Sequence, residues 1–264
     1  MLKVEMLSAS YGSVLPDVFS NVSFSLEKGS VLNVLGQNAV GKTTLIRCLT
    51  RELSSYKGRI LVHNKDAQSY SIIEYSRLVG VVSASFLSYQ NLSVADYLVT
   101  GFVNQTTALS RPTGKMVEDA HAVLARFNKQ ALFNKQIGQL SSGEKQLVMI
   151  SRVIIQNPEI IVFDEPTSNL DVKNQIAVLG QIKQLSSLGY TVVVTTHNPG
   201  HAMTLGGKTL LMGKGKYMFG NTGEIINADN LSEYYGLRAR IIKESDFQCI
   251  VFNCDSTGSI NLVF

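Results

Sequence analysis

The sequence has few cysteines and no apolar stretch long enough to anchor it in a membrane. Its 264 residues include Cys48, Cys249 and Cys254, an odd number whose spacing matches no metal site. No signal peptide is recognisable, so we expect reduced thiols in a cytosolic protein. A helix that crosses a bilayer needs about 20 apolar residues, and no stretch approaches that length. If the chain serves a membrane protein, another chain must supply the membrane-spanning part.

Long runs of basic residues are also missing. The 24 Lys and Arg residues and 20 Asp and Glu residues give a net charge of +4 and are scattered along the chain. A nucleic-acid or membrane-surface patch is therefore not expected. The chain is 45% hydrophobic and 17% charged, so it can bury a core, and α/β folds reach this length as one domain. Neither an internal repeat nor a low-complexity linker divides it.

The most informative pattern is a glycine-containing loop that fits G-x-x-x-x-G-K-[ST] at every fixed position. The apolar run 31–35 before it predicts a buried strand, and 44–49 after it predicts the start of a helix. In such a loop, backbone N–H groups converge on phosphate and the helix N-terminus favours negative charge. The pattern predicts a nucleotide site made of Gly36, Gln37, Asn38, Ala39, Val40, Gly41, Lys42, Thr43 and Thr44. Lys42 would reach the β- and γ-phosphates, and the Thr43 hydroxyl would bind Mg²⁺.

A second pattern is a short apolar run, 160–163, that ends in Asp164 and Glu165. The run predicts a strand buried in a parallel sheet. Asp164 at its carboxyl end can hold Mg²⁺ through water, and Glu165 can polarise the attacking water. The alternative is a strand that happens to end in two acids, and the nearby phosphate loop makes that alternative less favoured.

A third segment, Leu140-Ser141-Ser142-Gly143-Glu144, resembles the L-S-G-G-Q signature of the ATP-binding subunits of ABC transporters. Ser142 and Glu144 depart from that signature. The resemblance implies that Ser141 and the N–H groups after it contact the γ-phosphate of ATP held by an opposite subunit, again at a helix N-terminus. Ser142 can offer its N–H if its φ need not be positive. The alternative is an ordinary helix cap formed by Ser and a nearby Glu.

The resemblance assigns further residues along the chain. Tyr11 stands where the family places an aromatic residue that stacks on adenine, although a tyrosine in a short strand can also serve only in packing. The segment 168–171 is similar to the loop that crosses the dimer interface. His197, after the β-branched run 191–196, is similar to the switch histidine that contacts the γ-phosphate.

One family residue has no clear counterpart. The family carries a glutamine, which contacts Mg²⁺ and the transmembrane partner, after the strand that corresponds to 78–82. Ser83 is the best alignment for this position, because Gln90 follows several residues later. A serine is shorter than a glutamine but can still contact metal-bound water. The property that this substitution would change is the coupling between metal binding and the transmembrane partner.

The expected fold is α/β, with a P-loop NTPase (RecA-like) core, an antiparallel β layer and an inserted helical subdomain, as in ABC ATPases. Strands are expected before residue 30 and near 58–62, and helices from about 92 to 140. A final β segment is expected over 208–220. We predict an ABC ATPase domain over 1–222, with a helical subdomain at about 88–147, and a C-terminal helix and β extension over 223–264.

The resemblance implies an ATPase subunit of an ABC importer that uses ATP and Mg²⁺. Two copies would pack head-to-tail, with each ATP between Gly36–Thr44 of one copy and Ser141–Glu144 of the other. A separate permease would hold the chain at the cytoplasmic face of the membrane, and a substrate-binding protein would act indirectly. No nucleic-acid partner is expected.

The stretches 91–101, 110–113 and 223–237 are similar to those of import ATPases for iron-siderophores, haem and cobalamin. An importer for a metal oxyanion such as molybdate is a second candidate. The sequence also leaves open a soluble ABC protein that acts on ribosomes or in DNA repair, and a module that binds ATP but hydrolyses it poorly.

Overall fold

A computed structural model describes residues 1–12, 15–83, 89–105, 111–244 and 247–253. Its internal contacts divide the chain into two compact units. The first comprises Met1–Ala67 and Val193–Phe264, and the second comprises Gln68–Val192. Within the described ranges, none of the helices combines the length and the apolar character that a bilayer crossing would demand.

The first unit begins with a four-stranded antiparallel sheet in the order β2-β1-β4-β5. Its strands are β1 (Leu2–Ala9), β2 (Phe19–Leu26), β4 (Tyr56–Val62) and β5 (Lys65–Asp66). Buried Leu2 and Val4 alternate with exposed Lys3 along β1, because an antiparallel sheet can bury one face and leave the other wet. The expected antiparallel layer is confirmed.

The same unit contains the strand that leads into the phosphate loop. β3 (Val31–Gly36) is buried along its whole length and pairs in parallel with β9 (Lys208–Gly213). β10 (Lys216–Asn221) pairs antiparallel with β9, so the single β segment expected over 208–220 is a hairpin turning at Gly215, whose φ is 69°. On its other side β3 neighbours β8 (Thr191–Thr196), whose first two residues belong to the second unit.

Four helices complete the first unit: α1 (Lys42–Leu49), α7 (Pro199–Leu205), α8 (Thr222–Ile225) and α9 (Ala228–Tyr235). After α9, β11 (Arg238–Glu244) and β12 (Phe247–Asn253) form an antiparallel pair. An apolar cluster built around Leu35, Leu211 and Leu231 holds these C-terminal elements against β3 and β9. The β extension expected after the C-terminal helix is present as β11 and β12.

The second unit holds a parallel strand pair and most of the helices. β6 (Val79–Ser83) pairs in parallel with β7 (Ile160–Asp164), and Ser83 lies opposite Asp164. The helices are α2 (Ile72–Leu78), α3 (Val94–Val99), α4 (Gly114–Ala125), α5 (Ser142–Gln156) and α6 (Val172–Ser187). The mixed α/β fold and the helical region after residue 92 are confirmed. The domain boundaries at 88–147 and 222/223 stay predictions.

Candidate active site

The phosphate loop connects β3 to α1 through backbone that only certain residues tolerate. A Cβ atom on Gly36 would lie 2.4 Å from the Met212 carbonyl oxygen, so only glycine fits there. Gly41, the residue that caps α1, has a φ of 104°, and Ala39 has a φ of 63°. Both lie in the left-handed region that favours glycine. Residues 37–39 are exposed and Val40 is buried, so the tip of the loop is open to solvent.

Lys42 opens α1 and reaches back under the loop. It is buried, and its Nζ donates hydrogen bonds of 2.9 Å to the carbonyl oxygens of Gly36 and Gln37. The cation therefore lies among the backbone groups predicted to surround phosphate. Thr43 is exposed at the start of the helix, whereas Thr44 is buried. The predicted lysine and hydroxyl are both at the helix N-terminus, where the macrodipole favours an anion.

Tyr11 is anchored to the first turn of α1. Its hydroxyl lies 3.0 Å from Thr44 Oγ1 and accepts a 3.3 Å hydrogen bond from Arg47. The side chain as a whole is 52% exposed. Its position beside the phosphate loop is compatible with a stacking face for a base, and Arg47 is a partner that the sequence patterns did not indicate.

His197 follows β8, and its side chain is exposed. Asn198 caps α7 by accepting from the Gly200 N–H at 2.8 Å, and its own N–H donates to Thr196 Oγ1 at 3.1 Å. The Tyr235 hydroxyl donates a 2.8 Å hydrogen bond to the His197 carbonyl oxygen. These three hydrogen bonds thus hold the backbone around His197 in place.

The paired carboxylates lie at the carboxyl end of β7, in the second unit. Asp164 ends the strand, and Glu165 follows with a φ of 45°. Both are half-buried. The N–H and hydroxyl of Ser168 both donate to the Glu165 carbonyl oxygen, at 3.1 and 2.9 Å. A left-handed backbone at a non-glycine residue is uncommon and clusters at functional positions, and here two hydrogen bonds hold it.

Ser83 ends β6 at the same level as Asp164, because the two strands pair in parallel with this register. The carboxyl ends of parallel strands meet at one edge of a sheet, which is where α/β proteins bind ligands. Residues 84–88 lie outside the described part of the chain. The carbonyl of Gln90 accepts from the Gly138 N–H at 2.9 Å.

The segment Ser141–Glu144 starts α5 with a capping box. Ser141 Oγ accepts from the Glu144 N–H at 3.3 Å, and the Ser141 N–H donates to Glu144 Oε2 at 2.9 Å. That hydrogen bond lowers the pKa of Glu144, so its carboxylate is ionised at neutral pH. Ser142 does not have the positive φ that would have precluded its role. The helix cap that the sequence offered as the alternative is therefore present, and an N-terminus that is capped in this way can still present N–H groups to an anion.

Within the first unit, contacts bring Tyr11, the phosphate loop, Lys42 and the His197 backbone into one connected group. Within the second unit, Ser83 and Asp164 are neighbours and Glu165 follows directly. Patterns in the sequence did not reveal Tyr235, which is 38 residues from His197. The only nearby sequence feature that marks Tyr235 is the Tyr-Tyr-Gly sequence at the end of α9.

Comparison with known proteins identifies one family. The family described as "ABC transporter" matches residues 19–168. The molybdate import ATP-binding protein MolC of Haemophilus influenzae is 33% identical, over 83% of this chain and 82% of that protein. A protein of Helicobacter pylori named "Probable iron chelatin transport ATP-binding protein" is 30% identical, over 93% of this chain and 97% of its own length.

A solved structure indicates the same family. A metal-chelate type ABC transporter in an inward-facing conformation is 31% identical to this chain, with a TM-score of 0.84. The similarity covers 96% of this chain and 98% of that one. The match therefore extends over almost the entire chain.

Proposed function

The chain belongs to the ABC transporter family of ATP-binding subunits, ATPases that couple hydrolysis to transport, and on this basis we propose that it powers substrate import through a separate permease. The observation that carries the ATPase part is the loop from Gly36 to Thr43, with Lys42 held at the loop carbonyls. The import direction is supported by the relatives, one of which is named as a molybdate import protein.

In this proposal the loop binds the phosphates of ATP. Lys42 exchanges its bonds with the Gly36 and Gln37 carbonyls for bonds with phosphate oxygens, and Tyr11 stacks on the base. Glu165 accepts a proton from the attacking water, and His197 contacts the γ-phosphate. A positioned base contributes about 10²–10⁴-fold to the rate, so removal of the Glu165 charge should lower turnover by about that factor.

The donor set of the chain fits Mg²⁺. In the described part of the chain, no cluster of three or more His, Cys, Asp or Glu side chains could hold a metal. Mg²⁺ does not need one, because one or two protein oxygens suffice when water and phosphates supply the rest. We infer that the Thr43 hydroxyl and the Asp164 carboxylate hold the ion, with Ser83 contributing through water. Once bound, the ion neutralises phosphate charge.

Two copies would act as a head-to-tail dimer that encloses ATP between Gly36–Thr44 of one copy and Ser141–Glu144 of the other. Each of these segments contains a helix N-terminus suited to phosphate. Two apolar side chains at the start of α6, Val172 and Ile176, are 68% and 65% exposed. They lie one helical turn apart, beside the predicted interface loop 168–171, and a second copy would cover them.

The permease would dock near 83–90. Support comes from α2, whose first residues Ile72 and Ile73 are 80% and 60% exposed, since exposed apolar residues side by side are typical of interaction surfaces. α2 leads directly into β6, which ends at Ser83. The complex would place this chain at the cytoplasmic face of the membrane, with a substrate-binding protein acting on the other side.

The substrate that the relatives support is a metal chelate or a metal oxyanion. Similarity to the iron chelatin protein, and to the metal-chelate type transporter, favours an iron chelate, haem or a cobalamin-type compound. Similarity to MolC favours molybdate as the second candidate.

Reconstitution with a candidate permease and its substrate-binding protein tests this proposal. We expect the permease to raise ATP turnover, and one of four probes (an iron(III) siderophore, haem, cobalamin or molybdate) to raise it further through the binding protein. Lys42→Ala should weaken ATP binding by at least about tenfold, or about 1.4 kcal/mol, and abolish turnover. The control Lys28→Ala changes an exposed lysine and should leave both unchanged. ATP turnover that is indifferent to the permease would contradict the transport role.

A further inference from the structure

The C-terminal end of α9 is bonded to two separate loops of the candidate nucleotide site, both in the first unit. Gln37 Nε2 donates to the carbonyl oxygens of Tyr234 and Tyr235, at 3.2 and 2.7 Å. The Tyr235 hydroxyl donates to the His197 carbonyl oxygen at 2.8 Å. One helix end therefore connects the phosphate loop to the loop that carries the histidine.

The Gln37 bonds meet a specific need of α9. The last carbonyls of a helix have no partner within the helix, and α9 ends at Tyr235 with the left-handed cap Gly236, whose φ is 68°. The amide of Gln37 supplies donors to two of these carbonyls. The same two hydrogen bonds hold the side chain of Gln37, the first variable residue of the phosphate loop, against the end of α9.

The Tyr235 side chain is held in place by the C-terminal strand pair. Its ring packs against Phe252 of β12, with centroids 5.2 Å apart and planes at 34°. Burial raises the pKa of the Tyr235 hydroxyl, so it stays a proton donor across the physiological range. This gives β11 and β12 a role that the sequence did not indicate: they support the tyrosine that fixes His197.

We propose that Tyr235 is a positioning residue for ATP hydrolysis. Its hydroxyl fixes the His197 backbone, while the Gln37 bonds to the same helix end keep the phosphate loop and the histidine loop at a constant separation. The proposal rests on the γ-phosphate role of His197 in the proposed function. A contact that matters most in the transition state affects kcat, whereas one made equally in the ground state affects KM. Loss of the hydroxyl should therefore lower kcat.

The test is Tyr235→Phe in the full chain, with Tyr234→Phe as the matched control. Tyr234 is the preceding residue of the same helix, its ring lies under Lys216 Nζ, and its hydroxyl has no hydrogen bond to any described residue. We expect Tyr235→Phe to lower kcat by about threefold to tenfold, the loss of one hydrogen bond, with KM for ATP within about twofold of the wild type. Tyr234→Phe should match the wild type in both. Rates are divided by the number of ATP-binding sites titrated in each preparation, so that misfolded protein does not lower kcat.

A second comparison separates positioning through His197 from a general structural role. In a His197→Ala background, Tyr235→Phe should have little further effect, because the group that it positions is gone. Equal losses in both backgrounds, or wild-type kcat in Tyr235→Phe, would overturn the proposal. Wild-type turnover in His197→Ala would overturn it together with the role of His197. Normal ATP affinity in Lys42→Ala would instead contradict the nucleotide site itself.

Discussion

At the scale of single residues, the shape of the phosphate loop is set by the backbone of the chain itself. Ala39 and Gly41 already have left-handed backbones, and Lys42 is already directed at the loop carbonyls. In the proposed function, Lys42 exchanges these two hydrogen bonds for bonds with phosphate oxygens. Such preorganisation lowers the entropy that must be lost on binding.

Glu144 is the residue whose departure from the family signature has the clearest electrostatic consequence. Its ionised carboxylate lies at the start of α5, where the opposite subunit's γ-phosphate is expected. Glu144→Gln keeps an oxygen for the Ser141 N–H and removes the negative charge. Two like charges about 4 Å apart in water repel each other by about 1 kcal/mol, so we expect KM for ATP to fall by up to about fivefold.

The exposed acid Glu118 on α4 offers the matched control, and Glu118→Gln should leave KM for ATP unchanged. Sedimentation at increasing ATP should show that Glu144→Gln dimerises at lower ATP concentration than the wild type. A higher KM, or weaker dimerisation, would show that the carboxylate helps to bind nucleotide rather than opposing it.

The residues proposed to bind phosphate were predictable as candidates because the pattern is local: glycine, lysine and threonine at fixed spacing need no knowledge of distant contacts. Tyr235 was not, because its partners Gln37 and His197 are 198 and 38 residues away. A local sequence pattern does not show which distant residues come into contact in the folded chain. The hydrogen bond from Arg47 to Tyr11 was not predicted for the same reason, since the two residues are 36 positions apart.

At the scale of elements, the buried parallel strands β3 and β7 were the most predictable parts of the fold. Strands buried on both faces give continuous apolar runs, as in Val31–Leu35 and Ile160–Phe163. The start of α5 at Ser142 agrees with the helix cap that the sequence offered at Ser141, because a capping box determines where the helix starts. Leu78 proved to be the end of α2 rather than part of β6, since one apolar residue suits either element.

The start of α7 predicts a pH dependence of stability. Burial, and secondly the nearby His197, lower the pKa of His201 from its ordinary value of 6.5. Protonation is then less favourable in the folded chain than in the unfolded one. The stability that His201 contributes is present above about pH 6.5 and is lost as the pH falls from there through the folded value.

Urea unfolding at about pH 7.5 and about pH 5 measures this contribution. We expect the midpoint to fall at the lower pH, and to fall by less in His201→Asn. The control His121→Asn changes an exposed histidine of α4 and should show the same pH dependence as the wild type. An equal fall in His201→Asn would assign the effect to other groups.

At the scale of the whole molecule, we propose an ATPase that works in pairs. ATP favours the closed dimer and hydrolysis releases it, so the nucleotide shifts the chain between two states by binding one of them better. The permease responds to that change. In this proposal Ser83, which lies opposite Asp164 in the strand register, links the metal site to the permease.

The central claim is that Glu165 activates the attacking water for ATP bound at Gly36–Thr43. Glu165→Gln keeps size and hydrogen bonding but removes the charge, and the most direct measurement is ATP turnover of this variant beside its ATP affinity and oligomeric state. We predict turnover lower by about a hundredfold or more, ATP bound as in the wild type, and an ATP-dependent dimer that persists, whereas the dimer of the control Glu118→Gln dissociates as its ATP is hydrolysed. Turnover equal to that of the wild type would contradict the claim.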